Sequence, residues 1–275
     1  MIIQKTQIPG SDSKPIFIDY LLSDRTEAPM VIFVHGFKGF KDWGTHHLVA
    51  QYFAENGCNF LKFNFSHNGM SKDGIDIFDD LDSFAHNTFS KELNDLNEVI
   101  TYALSGEAFP PPPQIILIGH SLGGGISILQ TYSDVRVNKL VTWASISNFR
   151  GLWNVDYESY WRKEGVIYMS NSRTNQQMPL YLDVLLDLEK NAEKLDLLQA
   201  ARSLKQPWLI IHGDADSTVT VEQAQLLKRQ HPTSYLMILE NADHVFNAKH
   251  PWTEDFLPEA LKQACDSTIS FIRQL

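Results

Sequence analysis

Three stretches of this chain carry residue types that together suit nucleophilic catalysis. The first is Gly119-His120-Ser121-Leu122-Gly123-Gly124. It follows the β-branched run Gln114-Ile115-Ile116-Leu117-Ile118 and precedes residues 125–132, which can continue as a helix. A G-x-S-x-G pentapeptide between a strand and a helix holds its serine on a sharp turn, with the hydroxyl projecting at the top of the sheet. Gly119 and Gly123 flank that turn, where a Cβ would collide with the neighbouring strand or helix. The helix start behind the serine directs N–H groups and partial positive charge at any anion forming there.

A serine hydroxyl is a poor nucleophile without a base in hydrogen-bond reach, and the base in turn needs a carboxylate to orient it. Both can be found at strand ends. Trp208-Leu209-Ile210-Ile211 runs into His212-Gly213-Asp214-Ala215-Asp216, and Tyr235 to Leu239 runs into Glu240-Asn241-Ala242-Asp243-His244. Carboxylates therefore follow one late strand and a histidine follows the next. Of the ten histidines, His35, His120 and His212 sit beside glycines at strand ends, where an imidazole commonly packs or bonds locally. The others outside position 244 match no motif.

The elements needed to carry these residues are legible in the pattern. Residues 2–8 and 15–22 read as extended segments around the turn-rich Pro9-Gly10-Ser11-Asp12-Ser13. Met30-Val31-Ile32-Phe33-Val34 is a continuous apolar run, as expected of a strand buried on both faces, and ends in His35-Gly36-Phe37. A helix is predicted over 45–56, stopped by Gly57, then a strand over 59–65. Residues 66–88 read as loop, 91–104 as a helix with one apolar stripe, and the four prolines 110–113 as a stiff surface connection. A strand is predicted at 139–144. The rhythm then breaks over 145–205, a segment rich in tryptophan and tyrosine with a helical stretch around 180–198. It resumes with strands at 208–211 and 235–239 and helices at 221–229 and 258–275. Strands alternating with helices imply an α/β fold with a mostly parallel, doubly wound sheet flanked by helices. On this reading the chain is a single domain over 1–275, with 145–205 as a small inserted cap.

Bulk properties narrow the partners. A formal net charge of -10 opposes binding to a phosphate backbone, so no nucleic-acid partner is expected. No run approaches 18 uninterrupted apolar residues and Met1-Ile2-Ile3-Gln4-Lys5-Thr6 lacks a basic-then-apolar leader pattern, which points to a cytoplasmic protein with no membrane partner. Cys58 and Cys265 lie in no metal-type spacing and read as buried reduced thiols. The N-terminal strand offers a free edge at which a homodimer can pair.

The order Ser…Asp…His is that of the α/β-hydrolases. On His35-Gly36-Phe37, the elbow, His212-Gly213-Asp214-Ala215-Asp216 and Ala242-Asp243-His244-Val245-Phe246, the chain resembles that superfamily over nearly its whole length. Within it, the chain is similar to single-domain esterases of the feruloyl (cinnamoyl) esterase and dienelactone-hydrolase or prolyl-peptidase-like kind. The resemblance implies Ser121 as nucleophile, His244 as base and Asp216, the last position of H-G-x-x-D, as acid; Asp214 is the alternative, or else a turn carboxylate holding a backbone N–H. It also implies an oxyanion hole from the N–H groups of Phe37 and Leu122, acting on a small-molecule ester without metal or organic cofactor. After the 59–65 strand, comparable esterases continue with a glycine-histidine-glycine or similar turn. This chain has Ser66-His67-Asn68-Gly69-Met70-Ser71, expected to lie near the site. Two alternatives use the same fold: an acyl thioesterase with the same residues, and a non-catalytic receptor for a small ligand. The aromatic residues of 145–205 suit an acyl or aryl pocket, and equally the packing of a cap onto its domain.

Overall fold

The computed structural model describes residues 2–74 and 77–274. Its centre is an eight-stranded sheet in the order β1-β2-β4-β3-β5-β6-β9-β10. These strands are β1 (Gln4–Pro9), β2 (Pro15–Leu21), β3 (Met30–Val34), β4 (Asn59–Phe63), β5 (Ile115–His120), β6 (Val137–Trp143), β9 (Trp208–Gly213) and β10 (Tyr235–Leu239). β1 and β2 pair antiparallel, β2 pairs antiparallel with β4, and every later neighbour is parallel.

The parallel strands are apolar at consecutive positions because both faces of the sheet are covered. Ile32, Val34, Ile115, Leu117, Leu140 and Ile210 point to one side, where they meet α3 (Phe89–Leu104), α4 (Leu122–Ser133) and α8 (Val221–Gln230). Val31, Phe33, Ile116, Ile118, Val141 and Ile211 point to the other, covered by α1 (His46–Glu55) and α9 (Glu259–Arg273). The doubly wound α/β sheet expected from the sequence is therefore the observed one. Cys58 and Cys265 are free and buried, and burial pushes the Cys58 thiol up to about 11.

The segment between β6 and β9 differs from its expected layout. It forms α5 (Glu158–Glu164), a hairpin of β7 (Val166–Asn171) and β8 (Gln176–Tyr181), then α6 (Asp183–Lys190) and α7 (Leu197–Ser203). The helix expected around 180–198 is thus a strand end, a short helix, and a break before α7. Asn175, at φ 53°, supports the hairpin turn between β7 and β8. The segment is tied to the body by Gln176 Nε2 donating to the Phe78 carbonyl at 2.7 Å and by His86 Nδ1 2.7 Å from Asp183 Oδ2. Lys38 Nζ donates to the Ser170 carbonyl at 3.0 Å, joining β7 to the loop after β3. Among the described residues of 66–88, a short helix, α2 (Leu81–Ala85), forms where only loop was expected.

Candidate active site

Parallel pairing delivers the carboxyl ends of the central strands to one rim: Val34 is in register with Gly119, His120 with Trp143, Trp143 with Ile211, and Gly213 with Leu239. Ser121 follows β5 at φ 55° and ψ -120°, a left-handed conformation that a serine adopts only when its surroundings enforce it. Those surroundings are close contacts. A Cβ on Gly119 would lie 2.3 Å from the Gly123 carbonyl oxygen, and one on Gly123 would lie 2.2 Å from the Val34 carbonyl oxygen. Glycine at both positions lets α4 press against β5 and β3.

The structure brings Ser121, His244 and Asp216 into one hydrogen-bonded chain. Ser121 Oγ lies 3.0 Å from His244 Nε2, and His244 Nδ1 lies 2.8 Å from Asp216 Oδ2. Asp216 sits in a loop folded around its own carboxylate, whose Oδ1 accepts from the N–H groups of Thr218 at 2.8 Å and Val219 at 2.9 Å. Burial would raise this carboxyl, but bonds from His212 and His244, the charge on His244 and the Val219 N–H hold it well below the usual carboxylate range. With Nδ1–H bonded to an anion, His244 presents Nε2 to the serine as an acceptor. Asp214 is elsewhere: it is exposed, and its Oδ1 accepts from the Asn241 N–H at 2.7 Å. That contact holds the loop after β10 against the loop after β9.

The two residues expected to receive an oxyanion border the serine. The backbone of Gly36 is so near that a Cβ there would sit 2.9 Å from the Ser121 Cβ, which puts the next residue, Phe37, beside the nucleophile. Leu122 opens α4, where N–H groups have no carbonyl one turn back to bond. A cavity of about 150 Å³ opens here, lined by Phe37, Trp43, His120, Ser121, His244 and Phe246 among others.

Two histidines read from the sequence as local packing groups serve the site's geometry. His120 Nε2–H donates to the His244 carbonyl at 2.8 Å, and burial together with the adjacent His244 pushes His120 down to about 3. His212 Nε2–H donates to the Val219 carbonyl at 2.7 Å and lies 3.3 Å from Asp216 Oδ2. Their signal in the sequence was position, each at the end of a strand that feeds the rim. The loop 66–71 lines neither of the two cavities but packs behind one of them, where a Cβ on Gly69 would lie 3.0 Å from the Cβ of Phe84, whose ring is 5.5 Å from that of Phe37. Asp95 anchors it by accepting from the Ser66 N–H at 2.8 Å, and Ser66 Oγ lies 2.8 Å from His67 Nδ1. Of the aromatic residues in 145–205, Trp153 lines a cavity, Trp161 is fully buried against it, and Tyr157, Tyr160 and Tyr168 face solvent.

Residues 31–254 match the alpha/beta hydrolase family, and the chain belongs to it. Among solved structures it is similar to a protein of Agrobacterium vitis S4, at 17% identity and a TM-score of 0.76, covering 99% of this chain and 100% of that one. It is also similar to Est1E from Butyrivibrio proteoclasticus, solved with ferulic acid bound, at 17% identity and a TM-score of 0.71 with 97% of each chain covered. The GPI inositol-deacylase of Schizosaccharomyces pombe (strain 972 / ATCC 24843) is 33% identical over 88 residues, which take in 26% of this chain and 8% of that one. This chain therefore spans only a small part of that relative. No helix among the described residues is long and apolar enough to cross a membrane.

Proposed function

We propose that this protein is a serine esterase that hydrolyses small carboxylic esters, of acyl or aryl acids, in the cytoplasm. The observation that carries the reading is the unbroken contact from Ser121 Oγ through His244 to Asp216, built on a strained elbow at the mouth of a cavity. Neutral His244 takes the Ser121 proton at Nε2 as Oγ attacks the ester carbonyl. Asp216 stabilises the imidazolium, and the N–H groups of Phe37 and Leu122 receive the oxyanion. The tetrahedral intermediate collapses with His244 giving its proton to the departing alcohol. Water, deprotonated by the same nitrogen, then attacks the acyl-enzyme and releases the acid. Each oxyanion donor in such a site is worth about 2.7–4 kcal/mol in the transition state. The carboxylic acid bound to Est1E belongs to the product class of this reaction. Residues 145–205 act as a cap on a single domain over 1–275.

Hydrolysis of a panel of p-nitrophenyl and hydroxycinnamate methyl esters, beside the same acyl groups as coenzyme A thioesters, tests the proposal. Ester turnover should fall in Ser121→Ala by roughly 10⁶ in kcat, with the protein still folded. Thioester turnover without ester turnover would move the protein to the thioesterase class, and ligand binding without turnover of either would make it a receptor.

A further inference from the structure

α3 carries two acids on its buried side, Asp95 and Glu92, and the structure treats them differently. Asp95 is satisfied at both oxygens, with Oδ1 accepting from the Ser11 N–H and Oδ2 from the Ser66 N–H, both at 2.8 Å. Glu92 is 4% exposed and accepts a single bond, from Asn87 Nδ2 to Oε1 at 2.7 Å. Its Oε2 is buried without a hydrogen-bond partner among the described residues. An apolar residue would fill this position at less cost to the fold, so a buried acid with one idle oxygen calls for a reason.

The reason is next to it. Glu92 lines a second cavity, of about 20 Å³, room for one water-sized group. Phe37 and Leu122 line the same cavity, and most of its other walls are apolar side chains such as Phe84, Phe89, Trp153 and Leu180, with Asn87 and Thr88 beside Glu92. The residues whose N–H groups face the reacting carbonyl therefore also form one end of a narrow apolar space, and Glu92 is its sole acid. Only the terminal group of an acyl chain fits here, and among the polar side chains that line the space, Glu92, Asn87 and Thr88, it is Glu92 that has a buried oxygen without a partner among the described residues.

We infer that this cavity receives the far end of the acyl group and that Glu92 Oε2 hydrogen-bonds a hydroxyl carried there, making esters of short hydroxy acids the preferred substrates. The inference rests on the esterase reading and deepens it. Burial, reinforced by the charge of Asp95 against the pull of Asn87, pushes Glu92 up to about 8, so at neutral pH it offers an O–H donor. A neutral donor in a space for one small group suits a hydroxyl oxygen. It gives a cationic amine no anion to meet.

The test compares kcat/KM for ethyl esters of plain, ω-hydroxy and ω-amino acids of three to six carbons. The hydroxy ester should exceed the plain one by about ten-fold at the chain length that reaches Glu92, the worth of one good hydrogen bond. Glu92→Gln keeps a neutral donor of the same shape and should keep most of that ratio, whereas Glu92→Leu should bring it close to one. No hydroxyl preference at any length, or a preference that survives Glu92→Leu, overturns the inference. So does a preference for the amino ester that Glu92→Gln abolishes, since Glu92 would then act as an anion. If no ester is turned over at all, the esterase reading fails by itself. In that event the affinity of the free hydroxy acids for the wild-type protein and for Glu92→Leu decides the inference: a ten-fold loss in the variant sustains it, and equal binding overturns it.

Discussion

Asp216 and Glu92 are buried to the same degree, at 5% and 4% exposure, and their carboxyls are driven in opposite directions. Asp216 receives the N–H groups of Thr218 and Val219 and His244 Nδ1 at 2.8 Å, and His212 Nε2 lies 3.3 Å away. Among the described residues, Glu92 receives Asn87 alone. Removal from water disfavours the charged form at both sites, and the count of donors decides whether that penalty is overcome. On the proposed reaction, the lowered carboxyl is the one that would stabilise an imidazolium and the raised one is the one that would read the end of the acyl group. Environments that push two like groups apart assign them different work.

The largest expected effect of breaking this contrast is at Asp216. In Asp216→Asn the amide oxygen can still take the Thr218 and Val219 N–H groups, which turns the NH₂ toward His244. His244 must then carry its proton on Nε2, where it cannot take one from Ser121. A fall in kcat of roughly 10⁴ with an unchanged fold is expected, the penalty for the wrong tautomer. Steady-state kinetics beside a circular dichroism spectrum measures it, and a drop of less than ten-fold would remove Asp216 from the acid's role.

The next effect is on stability and has opposite signs at the two acids. Glu92, raised to about 8 from an ordinary value of 4.5, holds in the folded state a proton that the unfolded chain has released. Its contribution is most favourable below pH 4.5 and is lost as the pH rises to about 8, at up to about 1.4 kcal/mol per pH unit. Asp216 is lowered, so its contribution is present above about 3.8, the ordinary aspartate value, and is lost as the pH falls below it. Urea unfolding of the wild type and Glu92→Gln at pH 5, 7 and 9 should show the wild type losing ground to the variant as the pH rises. Parallel curves would mean that Glu92 is ionised when folded. The corresponding difference for Asp216→Asn should appear only on the acid side.

The two acids also differ in how far the sequence disclosed them. Ser121 and His244 were legible because strands deliver their carboxyl ends to one rim, so a residue at a strand end has a location before any contact is known. Glu92 was not. Helical spacing puts it on the apolar stripe of α3, one turn before Leu96 and two before Val99, but a lone glutamate there matches no motif. What buries it includes Leu152, Trp153 and Val184, from a segment some sixty or more residues away in the chain. That segment was the least legible part of the molecule for the same reason. Its hairpin sits outside the main sheet, so the alternation of strand and helix gives no place for it, and β8 contains Pro179, which weakens the signal of a strand. The path of the loop at 66–71 was not legible, because it is fixed by Asp95 through a contact between residues far apart in sequence.

The smallest expected effect concerns the pair that spacing alone could not separate, Asp214 and Asp216. Both follow β9, and only the register of the turn decides which carboxylate faces His244. Asp214 spends its Oδ1 on the Asn241 N–H at 2.7 Å, at the surface. Asp214→Ala should therefore cost about 0.5–1.5 kcal/mol, the worth of one hydrogen bond, and change kcat by less than about three-fold. Asp214→Asn keeps the acceptor and should recover most of that stability. The pairing matters because the bond from Asn241 helps to fix the loop that carries His244: a purely structural role predicts that stability and kcat both return in Asp214→Asn. If Asp214→Ala instead lowers kcat by orders of magnitude and Asp214→Asn does not restore it, a charge at position 214 is needed. The acid's role would then have to be divided between the two carboxylates.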